Sequence, residues 1–375
     1  MNITTDSDQE VWHDMREPGA YEWWYFDAED TTTGVSVVLI WFAGFPFSPY
    51  YTNHYEKWKK KIISAPPLPS NYSAFSFQLY ENGDEVVNFI REGEHELFES
   101  TRSEIGIRFE KNSFTFNAEC DEYTLDIDFS YPARHKKVKA NLSFKSTRRI
   151  RYEKKDTNND GNVPLHQWLL SVPKADVEGL IEVTELQKGG VRKIPFRAKG
   201  YHDHNLGAVP MQEYISRWYW GRAFSKKFDI VYYVVFFKNN EYKPLTLLLL
   251  QNNESDQVTV HDSMRFHENH FRYGLFAPLH SQTLTLLDKK IGIEVRHHKV
   301  LDTGPFYLRF ASDIVLTRDG QNIETIKGIS EFLDPSRLQS RMMRLFTCCR
   351  VCRDGVPSIM YKSYNRLKGS FDWKN

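Results

Sequence analysis

Ala74-Phe75-Ser76-Phe77-Gln78-Leu79-Tyr80, the turn residues Glu81-Asn82-Gly83-Asp84, and Glu85-Val86-Val87-Asn88-Phe89-Ile90-Arg91 run in immediate succession. Large apolar side chains alternate with small or polar ones through the first segment. Strand side chains alternate with period two, so this pattern buries one face, and the two runs read as a hairpin. Residues 105–109, 113–118, 123–129 and 138–144 repeat the pattern with turn residues between them. Short strands at such regular spacing predict an antiparallel barrel or sandwich.

Upstream, 21–28 and 35–45 form a further strand pair across Thr31-Thr32-Thr33-Gly34, aromatic or β-branched on both faces. Glu22 stands out there: a carboxylate in an aromatic run is either a paired core charge or a site acid, because a lone buried charge is so costly. Residues 1–18 read as a polar arm, and 46–69 as an irregular insertion rich in Tyr, Lys and Pro. Downstream, 156–161 imitates the start of a calcium loop. Gln167 stands where the bidentate glutamate is needed, however, and the flanks look like strands, so the stretch reads as a turn. Strands follow at 166–173 and 177–186, and a domain boundary is expected within 188–199, dividing the chain into domains 19–192 and 193–375. A second strand set, at 229–237, 244–251, 257–262, 283–287, 291–297 and 306–315, repeats the architecture. The fold class is therefore mainly β, with two antiparallel domains.

One segment breaks the pattern. Asp334 can cap a helix with Pro335 at its first position, and Leu338, Met342, Leu345, Cys349 and Cys352 recur at steps of four and three until Gly355 and Pro357. This C-terminal amphipathic helix carries five arginines. It is expected to plug or flank a barrel with its arginines in water, and contact with a membrane surface is the second reading.

Lysine plus arginine equals aspartate plus glutamate at 49 each, so no net field recruits nucleic acid. Aromatic residues make up 15% of the chain, enough to line a large apolar cavity for a hydrophobic small molecule. Four unevenly spaced cysteines suit a reduced, cytoplasmic protein. The N-terminal residues do not read as a signal peptide, and the longest apolar run, 35–47, is broken by Gly44 and Pro46, short of the ~20 residues a membrane helix needs.

The chemistry points to Gly200-Tyr201-His202-Asp203-His204-Asn205-Leu206-Gly207. In an extended chain His202, His204 and Leu206 share one face and Asp203 and Asn205 the other. Histidine suits proton transfer near neutral pH, and a neighbouring carboxylate sets its tautomer. A buried polar cluster is the structural alternative. The paired histidines could bind zinc with a third ligand from His261, His267, His270, His297 or His298, but no spacing is diagnostic. No metal is expected. No glycine-rich phosphate loop and no Gly-x-Ser-x-Gly motif is present, so neither a nucleotide cofactor nor an activated serine is expected. Acid–base chemistry in an aromatic cavity remains.

Several stretches resemble the bacterial carotenoid 1,2-hydratases, also called hydroxyneurosporene synthases. They are 21–28, Phe47-Ser48-Pro49-Tyr50, 166–179, 200–207, Trp218-Tyr219-Trp220-Gly221-Arg222 and Gly304-Pro305-Phe306-Tyr307-Leu308-Arg309. The resemblance runs from about residue 17 and implies two lipocalin-like β-barrel domains, as in the related fungal decalin-forming Diels–Alderases. In the hydratases the acid–base residues are thought to lie in a His-Asn-Trp element and in a tyrosine followed two residues on by aspartate. His204 and Asn205 match the first, with Leu206 in place of tryptophan. Tyr232 and Tyr233 are followed by Val234 and Val235, so the aspartate has no counterpart. His204, His202, Asp203 or Glu22 would then serve as acid, or the reaction needs none.

The resulting expectation is a cofactor-independent enzyme that hydrates or cyclises a hydrophobic polyene, isoprenoid or polyketide at a carbon–carbon double bond. His204 is the expected acid–base residue, Asp203 sets its state, and Tyr233 and Glu22 supply polar contacts. Trp24, Trp218 and Trp220 line the pocket with Asn205, Leu206, Tyr232 and Phe306. A pericyclase that works by folding its substrate and a non-catalytic lipid or pigment carrier are the alternatives.

Overall fold

The computed structural model describes residues 1–155, 164–187, 189–274, 277–356 and 358–371. The turn expected at 156–161 and the stop at Pro357 lie outside them. The chain divides into two compact units, Met1–Pro210 with Leu345–Asn375, and Met211–Arg344.

The first unit carries β1 (Asn2–Thr4), β2 (Tyr21–Asp30), β3 (Val35–Ala43), β4 (Ser73–Glu81), β5 (Asp84–Gly93), β6 (Phe98–Ser100) and β7 (Gly106–Phe109). It continues through β8 (Asn112–Asn117), β9 (Glu122–Tyr131), β10 (Lys136–Ser146), β11 (Glu153–Lys154), β12 (Gln167–Glu185) and β13 (Gly190–Gly207). The main path of its sheet runs β5-β4-β3-β2-β13-β12-β10-β9-β8-β7-β6. The sheet curls, because side chains of distant strands meet across its interior. Phe89 of β5 stacks on Phe129 of β9 at 4.4 Å, and the Trp41 indole of β3 donates to the Asn112 carbonyl of β8 at 3.1 Å. The core enclosed between them holds Trp24, Phe26, Trp41, Phe75, Phe114 and Tyr123, all at most 1% exposed. Trp41→Ala should cost about 3–5 kcal/mol, the usual range for a buried tryptophan, read as a lower urea midpoint.

The second unit is a meander of β14 (Ile215–Phe224), β15 (Phe228–Phe237), β16 (Leu245–Asn252), β17 (Gln257–Asp262), β18 (Arg265–Arg272), β19 (His280–Leu287), β20 (Ile291–Thr303), β21 (Tyr307–Arg318) and β22 (Gln321–Leu333). β14 pairs with β22, giving the order β17-β16-β15-β14-β22-β21-β20-β19-β18. This sheet also curls: Phe236 of β15 meets Phe266 of β18 at 5.4 Å, and the Tyr219 hydroxyl of β14 donates to Glu268 of β18 at 2.8 Å. Two antiparallel half-barrels agree with the strand counting.

Several local expectations need correction. The division falls after Pro210, not within 188–199, because β13 continues through Gly207 and stays paired with β2 and β12. Residues 166–186 hold one long strand, β12, which stays continuous by means of register shifts between Leu169 and Ala175. The insertion at 46–69 contains helix α1 (Pro49–Lys59), started by Ser48 Oγ accepting from the amides of Tyr50 and Tyr51, with proline at its tolerated first position. The arm is no loose tail: β1 pairs in parallel with β12, and Glu10 is fully buried.

The helix expected from 335 is interrupted. Asp334 caps only a 3₁₀ turn, Pro335–Gln339, and the chain is extended at Ser340. After the four-residue α2 (Met211–Tyr214), helix α3 (Arg341–Cys348) follows that break, then β23 (Val351–Arg353) beside β5, then α4 (Ile359–Phe371). Met342 and Leu345, expected to be buried, are 55% and 49% exposed. The 4-3 spacing therefore does not mark one continuous helix. All four cysteines are unpaired, and no helix among the described residues is long and apolar enough to cross a membrane.

Candidate active site

The antiparallel register of β2 and β13 sets His202 directly opposite Phe26, His204 opposite Trp24 and Leu206 opposite Glu22. Directly paired residues lie on the same face of a sheet with their Cβ atoms about 5 Å apart. Phe26 accordingly stacks on His202 at 3.7 Å and 5°, and Trp24 on His204 at 4.6 Å and 9°. Two glycines bracket the stretch for steric reasons. A Cβ at Gly200 would come within 2.9 Å of the Asp27 carbonyl and 2.8 Å of the Phe144 ring, and one at Gly207 within 2.5 Å of Tyr21. Gly200→Ala should therefore destabilise the unit by about 1–3 kcal/mol through overpacking, read as a drop in thermal midpoint.

The two histidines have different surroundings. His202 Nε2 bonds the Glu10 carboxylate and Nδ1 lies 2.9 Å from the Tyr25 carbonyl. Both nitrogens of the ring are therefore engaged. Tyr123 donates to Glu10 at 2.7 Å. Burial raises the Glu10 carboxyl, but His202 and the hydroxyl of Tyr123 outweigh it and hold the group below the usual carboxylate range. His202 and Glu10 thus form a buried, fully engaged pair.

His204 is held on one side only. Its Nε2 donates to Glu22 Oε1 at 2.9 Å, whereas Nδ1 is buried without a hydrogen-bond partner. Burial pushes the imidazole below its ordinary value despite Glu22, so the neutral form, with its open lone pair on Nδ1, dominates at neutral pH. Glu22 is also bonded by His13 of the N-terminal arm, through Nδ1 at 2.7 Å and the backbone amide at 3.1 Å. Burial raises Glu22, but the bonds from His13 and His204 outweigh it and keep it ionised. Burial lowers His13, and its bond to Glu22 reverses the shift to a net rise. His13 is half-exposed and links the buried pair to solvent.

Asp203 lies on the opposite face, accepting from Tyr201 at 2.7 Å, Trp168 at 2.9 Å and Asn205 at 2.9 Å. The expectation that it sets the state of His204 gives way to Glu22, which sits diagonally across the strand pair. Leu206 is buried on the face of His204. The remaining expected residues belong to the second unit. Tyr232 points into that barrel's core and donates to Ser330 at 2.9 Å. Trp218, Trp220 and Tyr233 share the other face of β14 and β15, with Trp218 edge-on to Tyr233 at 6.2 Å. Phe306 precedes β21, and its carbonyl accepts from the Asp334 amide.

Sequence reasoning missed Glu10 and His13. They lie in the polar run taken as an arm, which the parallel pairing of β1 with β12 and the bond from the Trp24 indole to the Glu10 carbonyl fasten to the barrel. Among the described residues His13, Glu22 and His204 also have the donor set of a metal site, with ligand atoms within 4.8 Å of one another. Two imidazoles and a carboxylate would suit zinc or iron. Here those same atoms bond one another.

Comparison of the chain with solved structures defines a class. It superposes on CghA with a TM-score of 0.58 and 12% identity, covering 84% of this chain and 88% of that one. For a structure described as an AttH from Nitrosomonas europaea the TM-score is 0.57, with 14% identity and coverage of 87% and 94%. The fold is thus that of the two-domain lipocalin-like β-barrel proteins.

Within that class, residues 39–358 match the family described as carotenoid hydratase CrtC. The chain is 50% identical, over 99% of its length and 97% of the relative's, to a Chlorobaculum tepidum protein named hydroxyneurosporene dehydrogenase. It is 23% identical, over 90% of its length and 74% of the relative's, to the acyclic carotenoid 1,2-hydratase of Thiocapsa roseopersicina. The chain belongs to the CrtC carotenoid hydratase family.

Proposed function

We propose that the protein adds water across a carbon–carbon double bond of an acyclic carotenoid or similar polyene, with His204 as the acid–base residue and no cofactor. The observation that carries this reading is the buried, unpartnered Nδ1 of His204 on a ring whose other nitrogen is fixed by Glu22. A buried polar atom without a partner costs about 1–3 kcal/mol, and a substrate or water proton would relieve that cost.

In the proton-loaded state Nδ1–H delivers its proton to one alkene carbon. The C=C π pair forms the new C–H bond and leaves a carbocation on the neighbouring carbon. Water bonds to that carbon, and its surplus proton returns to Nδ1, so the net change is addition of one water. Burial makes the imidazolium a stronger acid than free histidine, and the Trp24 face supports the transient ring charge. Glu22 and His13 hold ring orientation and proton supply. Leu206, buried on the same face of β13 as His204, remains our assignment for substrate contact.

Incubating purified protein with an acyclic carotenoid tests the reading. A product heavier by one water supports it. A product of unchanged mass and new retention would favour cyclisation, and unaltered pigment that co-purifies would favour a carrier. Exhaustive dialysis against a chelator should leave turnover unchanged if His13, Glu22 and His204 work by hydrogen bonding. Loss that is restored by added metal would assign them as ligands instead.

Proton delivery also fixes a pH dependence. The His204 value lies below that of free histidine, so the hydration rate should rise as pH falls from neutral. Stability runs the other way. Burial pushes His166 down to about 3 and His297 down to about 4. Below roughly pH 6.5 the unfolded chain takes up protons these buried rings refuse, and stability falls by up to about 1.4 kcal/mol per pH unit for each group. Urea titrations at several pH values would check it.

A further inference from the structure

Helix α4 (Ile359–Phe371) has three faces. Tyr361 and Asn365, one turn apart, are 7% and 2% exposed, and the Tyr131 hydroxyl of β9 donates to Asn365 Oδ1. This face fastens the helix to the first barrel. At 3.6 residues per turn, Ile359, Met360, Tyr364 and Leu367 fall in a second arc, and they are 79%, 36%, 37% and 63% exposed. Lys362 and Arg366 form the third face, and 358–371 contains no acidic residue.

That basic face lines a cavity of about 710 Å³ between α4, β5 and the β9–β10 turn, which also presents Lys111 and Lys137. Five lysine and arginine side chains line it against three carboxylates, and each carboxylate is paired. Arg91 pairs with Glu110 at 2.7 Å and with Asp354 at 2.8 Å, and Lys137 pairs with Asp128 at 3.2 Å. An exposed apolar arc running beside a positively charged hollow has the composition of an interfacial helix.

We propose that α4 and this cavity dock the protein on an anionic phospholipid surface, the apolar arc entering the acyl boundary and the cavity receiving lipid phosphate. The charge complementarity selects this occupant: a solvated globular helix has no use for four exposed large apolar side chains, and a second copy of this all-basic face would be repelled. The proposal goes beyond the reaction and does not depend on it.

Flotation of the full chain with vesicles tests it. Binding is expected to phosphatidylcholine vesicles containing phosphatidylglycerol and to be weaker with phosphatidylcholine alone, and high salt should reduce it. Leu367→Glu should lower binding about tenfold or more, since it removes one of the large apolar anchors. Lys362→Glu should weaken the preference for anionic lipid. Both side chains point to solvent, so thermal midpoints should match the parent, and Leu367→Ser serves should the charged variant misfold. Four outcomes would overturn the proposal: no flotation, equal flotation of the variants, a dimer that buries this face, or stabilisation by inorganic phosphate without vesicle binding.

Discussion

His204→Gln is expected to reduce turnover by about two to four orders of magnitude, the range for losing a positioned acid–base group, with little change in the unfolding midpoint. Glutamine keeps a donor for Glu22 but cannot accept and return a proton where Nδ1 stands. Glu22 retains its two bonds from His13, so the buried carboxylate is not orphaned. Glu22→Gln should give a smaller loss and a shifted pH–rate profile, because it removes the charge that steadies the imidazolium without removing the imidazole. A His204→Gln protein that turns over normally would reassign the chemistry to another group.

Glu10→Ala is expected to cost about 2–5 kcal/mol of stability, because it leaves the buried polar groups of His202 and Tyr123 without their partner. The His202 ring would keep its place against Phe26 while losing the carboxylate opposite Nε2, and Tyr123 would lose its acceptor. A substitution in a solvated tail would stay within about 0.5 kcal/mol. The urea midpoint therefore distinguishes a structural first segment from a loose arm. A shift of under 1 kcal/mol would contradict the description of His202 and Glu10 as a structural pair.

The contrast between neighbouring histidines explains what could be read from the sequence. Period-two alternation in β9 and β10 follows from one face being buried, so the barrel reading needed no tertiary knowledge, whereas β4 alternates in polarity with both of its faces buried. The same rule correctly set His202, His204 and Leu206 on one face. It could not reveal that one ring is locked between two acceptors and the other is held at one nitrogen only. That difference comes from Glu10, which the folded N-terminal segment brings to His202 from 192 residues away. β22 was missed because its inward positions, in line with Ile326 and Phe332 of the core, include Glu324, Gly328 and Ser330, which interrupt the apolar alternation. That glycine is required, since a Cβ there would come within 2.4 Å of the Arg222 carbonyl. α4 was missed because its apolar arc faces water, so it lacks the buried stripe that periodicity detects.

The most direct test of the central claim is incubation of an acyclic carotenoid in water enriched with heavy oxygen, with the parent protein and with His204→Gln in parallel. The account predicts one labelled oxygen in the parent's product, and almost no product from a variant that folds normally. A product without the label, or equal labelling by the variant, would contradict it.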